Sequence, residues 1–193
     1  SYSALLLIPG LVGGAILGER ILRIYGSEFT QGAPILVILI GANLIMSYQN
    51  QILATLNAVD RPDLSFRVNI LFVISNMVLN LVLIYQYGWI GAAVATILSV
   101  SISLLLGYVY LRELIEFTVP LRALQHQGLS AVAMGAVVYV GLWFENTYQL
   151  LAHNSITVLL LVTLGATVYF LLLLWISETF RTTVSHNLPV DIL

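Results

Sequence analysis

Residues 50–100 read NQILATLNAVDRPDLSFRVNILFVISNMVLNLVLIYQYGWIGAAVATILSV, and this stretch decides the fold. It holds the end of one apolar run, the short polar turn VDRPD, a second apolar run and the start of a third, with asparagines spaced along the first two. Working outward, apolar windows fall at 2–18, 35–56, 68–87, 89–111, 129–144 and 156–176. Most lie near the ~20 residues a helix needs to cross a ~30 Å hydrocarbon core. The windows are continuous rather than alternating, which selects helices over barrel strands. The chain therefore reads as an all-α polytopic transmembrane bundle of six spans, the short fifth window borrowing Leu124.

Composition agrees. Apolar residues make up 60% of the 193 and charged residues 8%, with a mean hydropathy of +0.99. Soluble domains are roughly half apolar and a quarter charged. All seven basic residues are arginine, and they avoid the centres of the windows, where a charge costs about 2.5 to 3.5 kcal/mol. Arg61, Arg67, Arg112, Arg122 and Arg181 fall on one side of the membrane, and Arg20 and Arg23 on the other. The positive-inside rule then makes the five-arginine side, and both ends of the chain, cytoplasmic in the plasma (inner) membrane.

Several chemistries are disfavoured. Without lysine the chain carries no phosphate-loop lysine or Schiff base, and without cysteine no thiol nucleophile, disulfide or thiolate metal site. His126, His153 and His186 sit in separate loops or the tail with no carboxylate at ligand spacing, so no metal and no cofactor is expected. No nucleic-acid partner is expected either. The first window lacks a basic leader and a cleavage pattern, and Ser1 reads as a cut inside a longer protein.

Short connections make neighbouring spans antiparallel. ERILRIYG at 19–26 reads as a brief interfacial helix. In VDRPD, Pro62 opens the next helix, and Asp63 and Ser65 are candidate caps. RELIEFTVPLRALQHQG, with Glu113, Glu116 and Pro120, suits a cytoplasmic crossing. The expected organisation is a four-helix unit at 1–111, a connection at 112–127, a two-helix unit at 128–177 and a cytoplasmic tail at 178–193.

Polar residues inside the windows carry most of the functional content. Asn43, Asn50 and Asn57 recur every seven residues with Ser47 on the same side, and Asn69, Asn76 and Asn80 stripe the next span. An amide left unpaired in hydrocarbon costs about 4 to 8 kcal/mol. These faces must look at protein, water or a polar ligand. Two roles fit: interhelical bonds worth ~0.6 kcal/mol each, or the wall of a water-filled cavity. In the second role Tyr48, Gln49 and Gln51 beside Asn50 add donors and acceptors suited to sugar hydroxyls. The candidate cavity residues are Asn43, Asn50, Gln51, Asn69, Asn76 and Asn80. Small residues point to close packing: Gly14 and Gly18, and the row Ala95, Ser99, Ser103 and Gly107. Pro9 and Gly10 interrupt the first span.

An ordered set of residues also carries a resemblance: Gly26, Phe29, Ala33 and Pro34; then Asn50, Leu56, Ala58 and Arg61; then Asn76, Asn80, Tyr87, Gly88, Gly91, Ala92, Ala93, Ala95 and Thr96. Over about the first 115 residues the chain resembles the C-terminal half of polysaccharide flippases. These form the polysaccharide transporter branch of the multidrug/oligosaccharidyl-lipid/polysaccharide exporter superfamily. The last two spans match in number and placement.

That resemblance implies the last six helices of a fourteen-helix, two-bundle transporter whose N-terminal half is missing here. It implies a lipid-linked glycan as cargo and alternating access as mechanism, with glycan polymerases or glycosyltransferases of the same pathway as partners. A cation-coupled drug exporter of the same superfamily and a membrane-embedded glycan-assembly protein or enzyme are the alternatives. The exporter would favour a buried carboxylate, whereas every acid here lies at a helix end or in a loop. Glu113 and Glu116 alone do not make an enzyme site, so the chain reads as a transporter.

Overall fold

The structure is a computed structural model and describes residues 2–115, 121–148, 153–177 and 180. Six helices follow one another: α1 (Tyr2–Arg23), α2 (Ala33–Ala58), α3 (Pro62–Tyr87), α4 (Trp89–Leu114), α5 (Leu121–Tyr148) and α6 (Asn154–Ile176). A 3-10 helix, Ser27–Gly32, precedes α2. All six α-helices are long and apolar enough to cross a membrane, and no strand occurs among the described residues. The 23 residues of α6 extend about 35 Å at ~1.5 Å per residue, enough for the hydrocarbon core. The chain is an all-α, multi-pass membrane protein.

The helices overrun the apolar windows. Residues 19–23 continue α1 rather than forming a separate interfacial helix, and Pro9 lies inside α1 without ending it. α4 runs to Leu114 and α5 begins at Leu121, so both ends of the expected 112–127 connection are helical, and His126 sits in α5 rather than in a loop. Apolarity marks where lipid ends; backbone hydrogen bonds carry a helix on into the headgroup layer. Glu116, Pro120, Arg181, His186 and, apart from Phe180, the 178–193 tail lie outside the described residues.

Two turns are built from specific residues. After α2, Arg61 N–H bonds to Leu56 O at 2.9 Å and Asp60 N–H to Asn57 O at 3.3 Å. Asp60 adopts φ +57°, the left-handed residue of a Schellman-type ending. Pro62 then starts α3, where its missing N–H is harmless. Neither expected cap behaves as a simple one: Asp63 accepts two hydrogen bonds from the Arg61 guanidinium, and Ser65 is buried. Between α3 and α4 the chain reverses at Gly88, with φ +60° and ψ −141°, a conformation that strains any residue with a Cβ. Three residues on, a methyl group on Gly91 would run into the carbonyl of Leu83. The GWIG run at 88–91 is therefore a turn residue and a close-approach residue of one helical hairpin.

The chain divides into two compact units. One comprises α2, α3 and α4 with the chain up to Leu7; the other comprises Ile8–Thr30 with α5 and α6. This differs from the expected grouping of the first four spans at 1–111, because α1 meets α5 through Val12, Ile16 and Arg20. A Cβ on Gly135 would lie 2.6 Å from Val12 and 3.4 Å from Ile16, so the missing side chain makes room for α1. In the first unit α4 packs against both α2 and α3. Its buried side is a row at four-residue spacing: Gly91, Ala95, Ser99, Ser103, Gly107 and Leu111. The arginine-rich end closes with a core of Leu56, Leu64, Val68 and Leu111. In the second unit α5 and α6 run antiparallel, Gly141 receiving Leu161 and Gly165 receiving Val138 and Met134.

Gly88→Ala is expected to cost about 1 to 3 kcal/mol, and Gly91→Ala more, because a backbone carbonyl cannot step aside as a flexible side chain can. A methyl at Gly10 meets nothing within 4 Å, so Gly10→Ala serves as the neutral control. The melting temperature of the full-length protein in detergent checks the order; equal values for Gly91→Ala and Gly10→Ala would contradict the close α3–α4 approach.

Candidate functional site

In the first unit, the three helices present different faces to their surroundings. On α3, Phe66, Ile70, Val73, Ile74, Met77, Val78, Leu81 and Val82 are exposed, and on α4 Leu98, Ile102, Leu105 and Val109. These exposed faces are apolar. On α2 the exposed residues include Asn43, Asn50, Gln51, Ala54 and Asn57, and the only large hydrophobic exposed between Ala33 and Ala58 is Leu39, at 37%. Helical periodicity sets Asn43, Asn50 and Asn57 on one side of α2 and Ala42, Gln49 and Leu56 on its buried side. Gln49 is thus a packing residue, 3% exposed, and does not stand beside Asn50 on the polar face.

The polar groups of α2 are partly satisfied by its own backbone. Asn43 Nδ2 donates to Leu39 O at 2.9 Å and Gln51 Nε2 to Ser47 O at 3.0 Å. Ser47 Oγ donates to Leu44 O at 2.9 Å and Thr55 Oγ1 to Gln51 O at 2.8 Å. Such back-bonding lowers the cost of carrying a polar side chain in a membrane helix. The carbonyl oxygens of the amides stay available outward.

On α3 the three asparagines separate. Asn76 and Asn80 are half-buried and bond to each other, Asn80 Nδ2 donating to Asn76 Oδ1 at 2.9 Å and to Asn76 O at 2.8 Å. Asn69 is exposed, near the start of α3 beside Phe66 and Ile70. The small residues Ala95, Ser99, Ser103 and Gly107 are all buried. A Cβ on Gly107 would meet Ile52 at 3.0 Å and Val68 at 3.5 Å, and Ser99 and Ser103 return their hydroxyls to their own helix. Gly14 and Gly18 are buried in the second unit together with Leu17.

The second unit contains a polar cluster that sequence reasoning missed. Arg20 Nη2 lies 2.6 Å from Glu145 Oε2, with side-chain exposures of 18% and 13%. Arg20 also donates to Asn146 Oδ1. Thr157 Oγ1 donates to Glu145 Oε1 at 3.4 Å, and Asn154 Nδ2 to the backbone oxygen of Arg20 at 2.8 Å. One end of α1 is thereby fastened to the end of α5 and the start of α6. Glu145 sits near a helix end, as expected of the acids, yet it is largely buried. The one available signal was opposite charges at the same membrane level on two spans that run in the same direction, Arg20 late in the first and Glu145 late in the fifth. Position along the chain does not say which spans touch.

No protein-family model matches the chain. It is 36% identical over 191 residues, 97% of its length, to a probable flippase, AglR, of Haloferax volcanii, and 29% identical over 187 residues to a probable low-salt glycan biosynthesis flippase, Agl15, of the same organism. The chain spans 39% and 38% of those relatives, about two fifths of their length. Among solved structures it is similar to the lipid II flippase MurJ in an inward closed conformation, with a TM-score of 0.75 at 20% identity over 94% of this chain and 37% of that one. The last match shows the fold. The resemblance to flippases read from the residues is thus met by relatives bearing that name, across nearly the whole of this chain.

Two outcomes follow from the geometry. Arg20→Ala or Glu145→Ala in the full-length protein strands a largely buried charge and is expected to cost about 3 kcal/mol, the lower end for a buried pair broken on one side. The exchange Arg20→Glu with Glu145→Arg restores part of the melting temperature if the pair itself matters, and none of it if only the native contacts do. In the otherwise cysteine-free segment, Asn50→Cys is expected to react with a membrane-impermeant thiol reagent, and Met77→Cys, on the apolar face of α3, to resist it. Equal protection of both would leave helix packing as the role of the α2 amides.

Proposed function

We propose that the protein containing this chain is a flippase that moves lipid-linked oligosaccharide or polysaccharide repeat units across the membrane by alternating access. The observation that carries the reading is the exposed face of α2, polar beside two neighbours whose exposed faces are apolar. A glycan crossing hydrocarbon unshielded loses several kcal/mol for every hydroxyl left unpaired. A route across must replace water with fixed polar groups, and Asn43, Asn50, Gln51 and Asn57 supply them on one helix. The half-buried Asn76–Asn80 pair on α3 flanks the route in this reading, with Asn69 towards its end.

Similarity to the two Haloferax volcanii flippases supports the same reading, as does the shared fold with the lipid II flippase. In the proposed arrangement the remaining helices of the full-length chain form the opposing wall, and the lipid tail stays in the bilayer while the headgroup crosses. Rocking of one bundle against another exposes the route to each side in turn. The protein works as a transporter rather than an enzyme, receiving its cargo from glycosyltransferases and delivering it to a polymerase or transferase. The five-arginine side faces the cytoplasm, so both ends of this segment lie inside.

Mass spectrometry of membrane extracts tests the function in cells lacking the full-length gene and in the same cells with it restored. The expected result is accumulation of a complete lipid-linked glycan that disappears on restoration. An unchanged glycan pool with new drug sensitivity would overturn the flippase in favour of a drug exporter.

A further inference from the structure

We infer that the α2 face recognises the uncharged, hydroxyl-bearing sugars of the cargo and not its phosphate. This rests on the proposed reading that α2 lines the glycan route, and it assigns that helix a chemical specificity. From Gln31 to Val59 the sequence contains no Asp, Glu, Lys or Arg. The face therefore offers an anion no countercharge. Along the row 43, 47, 51 and 55 the donors are largely committed: the single protons of Ser47 Oγ and Thr55 Oγ1 go to Leu44 O and Gln51 O, and one proton of each amide group of Asn43 and Gln51 goes to Leu39 O and Ser47 O, while the exposed Asn50 and Asn57 beside this row contribute amide donors that are neutral. The amide orientations follow from chemistry, since a nitrogen rather than a second oxygen must face each backbone carbonyl.

What remains outward on this row is biased towards acceptors: Asn43 Oδ1, Ser47 Oγ, Gln51 Oε1 and Thr55 Oγ1, against one spare N–H on each of the two amides. Phosphate oxygens only accept, and are held by charged or multiple donors. Sugar hydroxyls donate as well as accept, and each can give its proton to one of these oxygens. The row at 43, 47, 51 and 55 repeats every four residues, about 6 Å along the helix, a spacing suited to successive hydroxyls of an extended saccharide. Because no charge takes part, binding on this face is insensitive to salt, unlike an exposed ionic site.

The test uses full-length protein in nanodiscs, with maltotetraose as the neutral probe and inorganic pyrophosphate as the anionic one, read by saturation-transfer NMR. Thr55→Val and Gln51→Leu remove acceptors and are each expected to weaken maltotetraose binding about three- to tenfold, the worth of one neutral hydrogen bond. Pyrophosphate binding stays unchanged in both variants. Maltotetraose binding changes less than about twofold between roughly 0.1 and 1 M salt. Melting temperatures of the variants confirm that they fold. Unaltered maltotetraose binding in both variants, no maltotetraose binding to the wild type, or a parallel loss of pyrophosphate would overturn the assignment. Labelling of Asn50→Cys separates the two levels. A labelled cysteine with any of those results leaves the polar route standing and removes its specificity. An unlabelled one means that the rest of the chain covers α2, and both ideas fall.

Discussion

Every peptide group within the hydrocarbon must find its hydrogen-bond partner inside the protein, since lipid offers none. The helices of this chain satisfy that demand span by span, and the remaining features are decided by what their side chains do. Helices that already satisfy their own backbone gain little hydrophobic free energy by associating in lipid. Packing, polar contacts and shape have to hold them together instead.

The two units meet this need differently. In the first, α4 turns a row of small residues from Gly91 to Gly107 towards α2 and α3. Close approach lets dispersion contacts accumulate over the length of the helices. The tightest point is Gly91 against the Leu83 carbonyl, just past the Gly88 reversal. In the second, glycines at 135, 141 and 165 make room for single branched or long side chains, and the Arg20–Glu145 pair with Asn146, Asn154 and Thr157 fastens one end. A buried ion pair adds little net stability over an apolar contact of the same size, but its geometry admits few alternatives. Small-residue rows suit helices that slide close together; a charged clasp suits a particular register at one end.

Against this background the exposed face of α2 is the departure from the rule that lipid-facing surfaces are apolar. Its polar groups carry no charge, and its back-bonded hydroxyls and amides can sit in a low-dielectric setting at modest cost. The same back-bonding sets which atoms stay free, and so gives the face a chemical character beyond mere polarity. The curated relatives extend well beyond this chain.

Six spans, the all-α class, the helical positions of the asparagines and the small residues of α4 were legible in the sequence. Apolar length and 3.6-residue periodicity are local properties, and lipid enforces them without regard to tertiary detail. Gly88 and Gly91 were legible as part of a family-like pattern, although not as a strained turn and a steric necessity. Helix ends were misplaced at Arg23, Leu114 and Leu121, because helices continue past the edge of the apolar layer. Which helices touch was not legible. The grouping of Ile8–Thr30 with α5 and α6, the Arg20–Glu145 pair and the turning of Gln49 inward while Asn50 faces out all depend on contacts between residues far apart in the chain or on which side of a helix is occupied. The sequence by itself determined what each helix is and which polar residues it carries. Only the tertiary structure decided which of those residues are spent on packing and which remain exposed, because burial is a property of neighbours, and a membrane span's own composition does not name them.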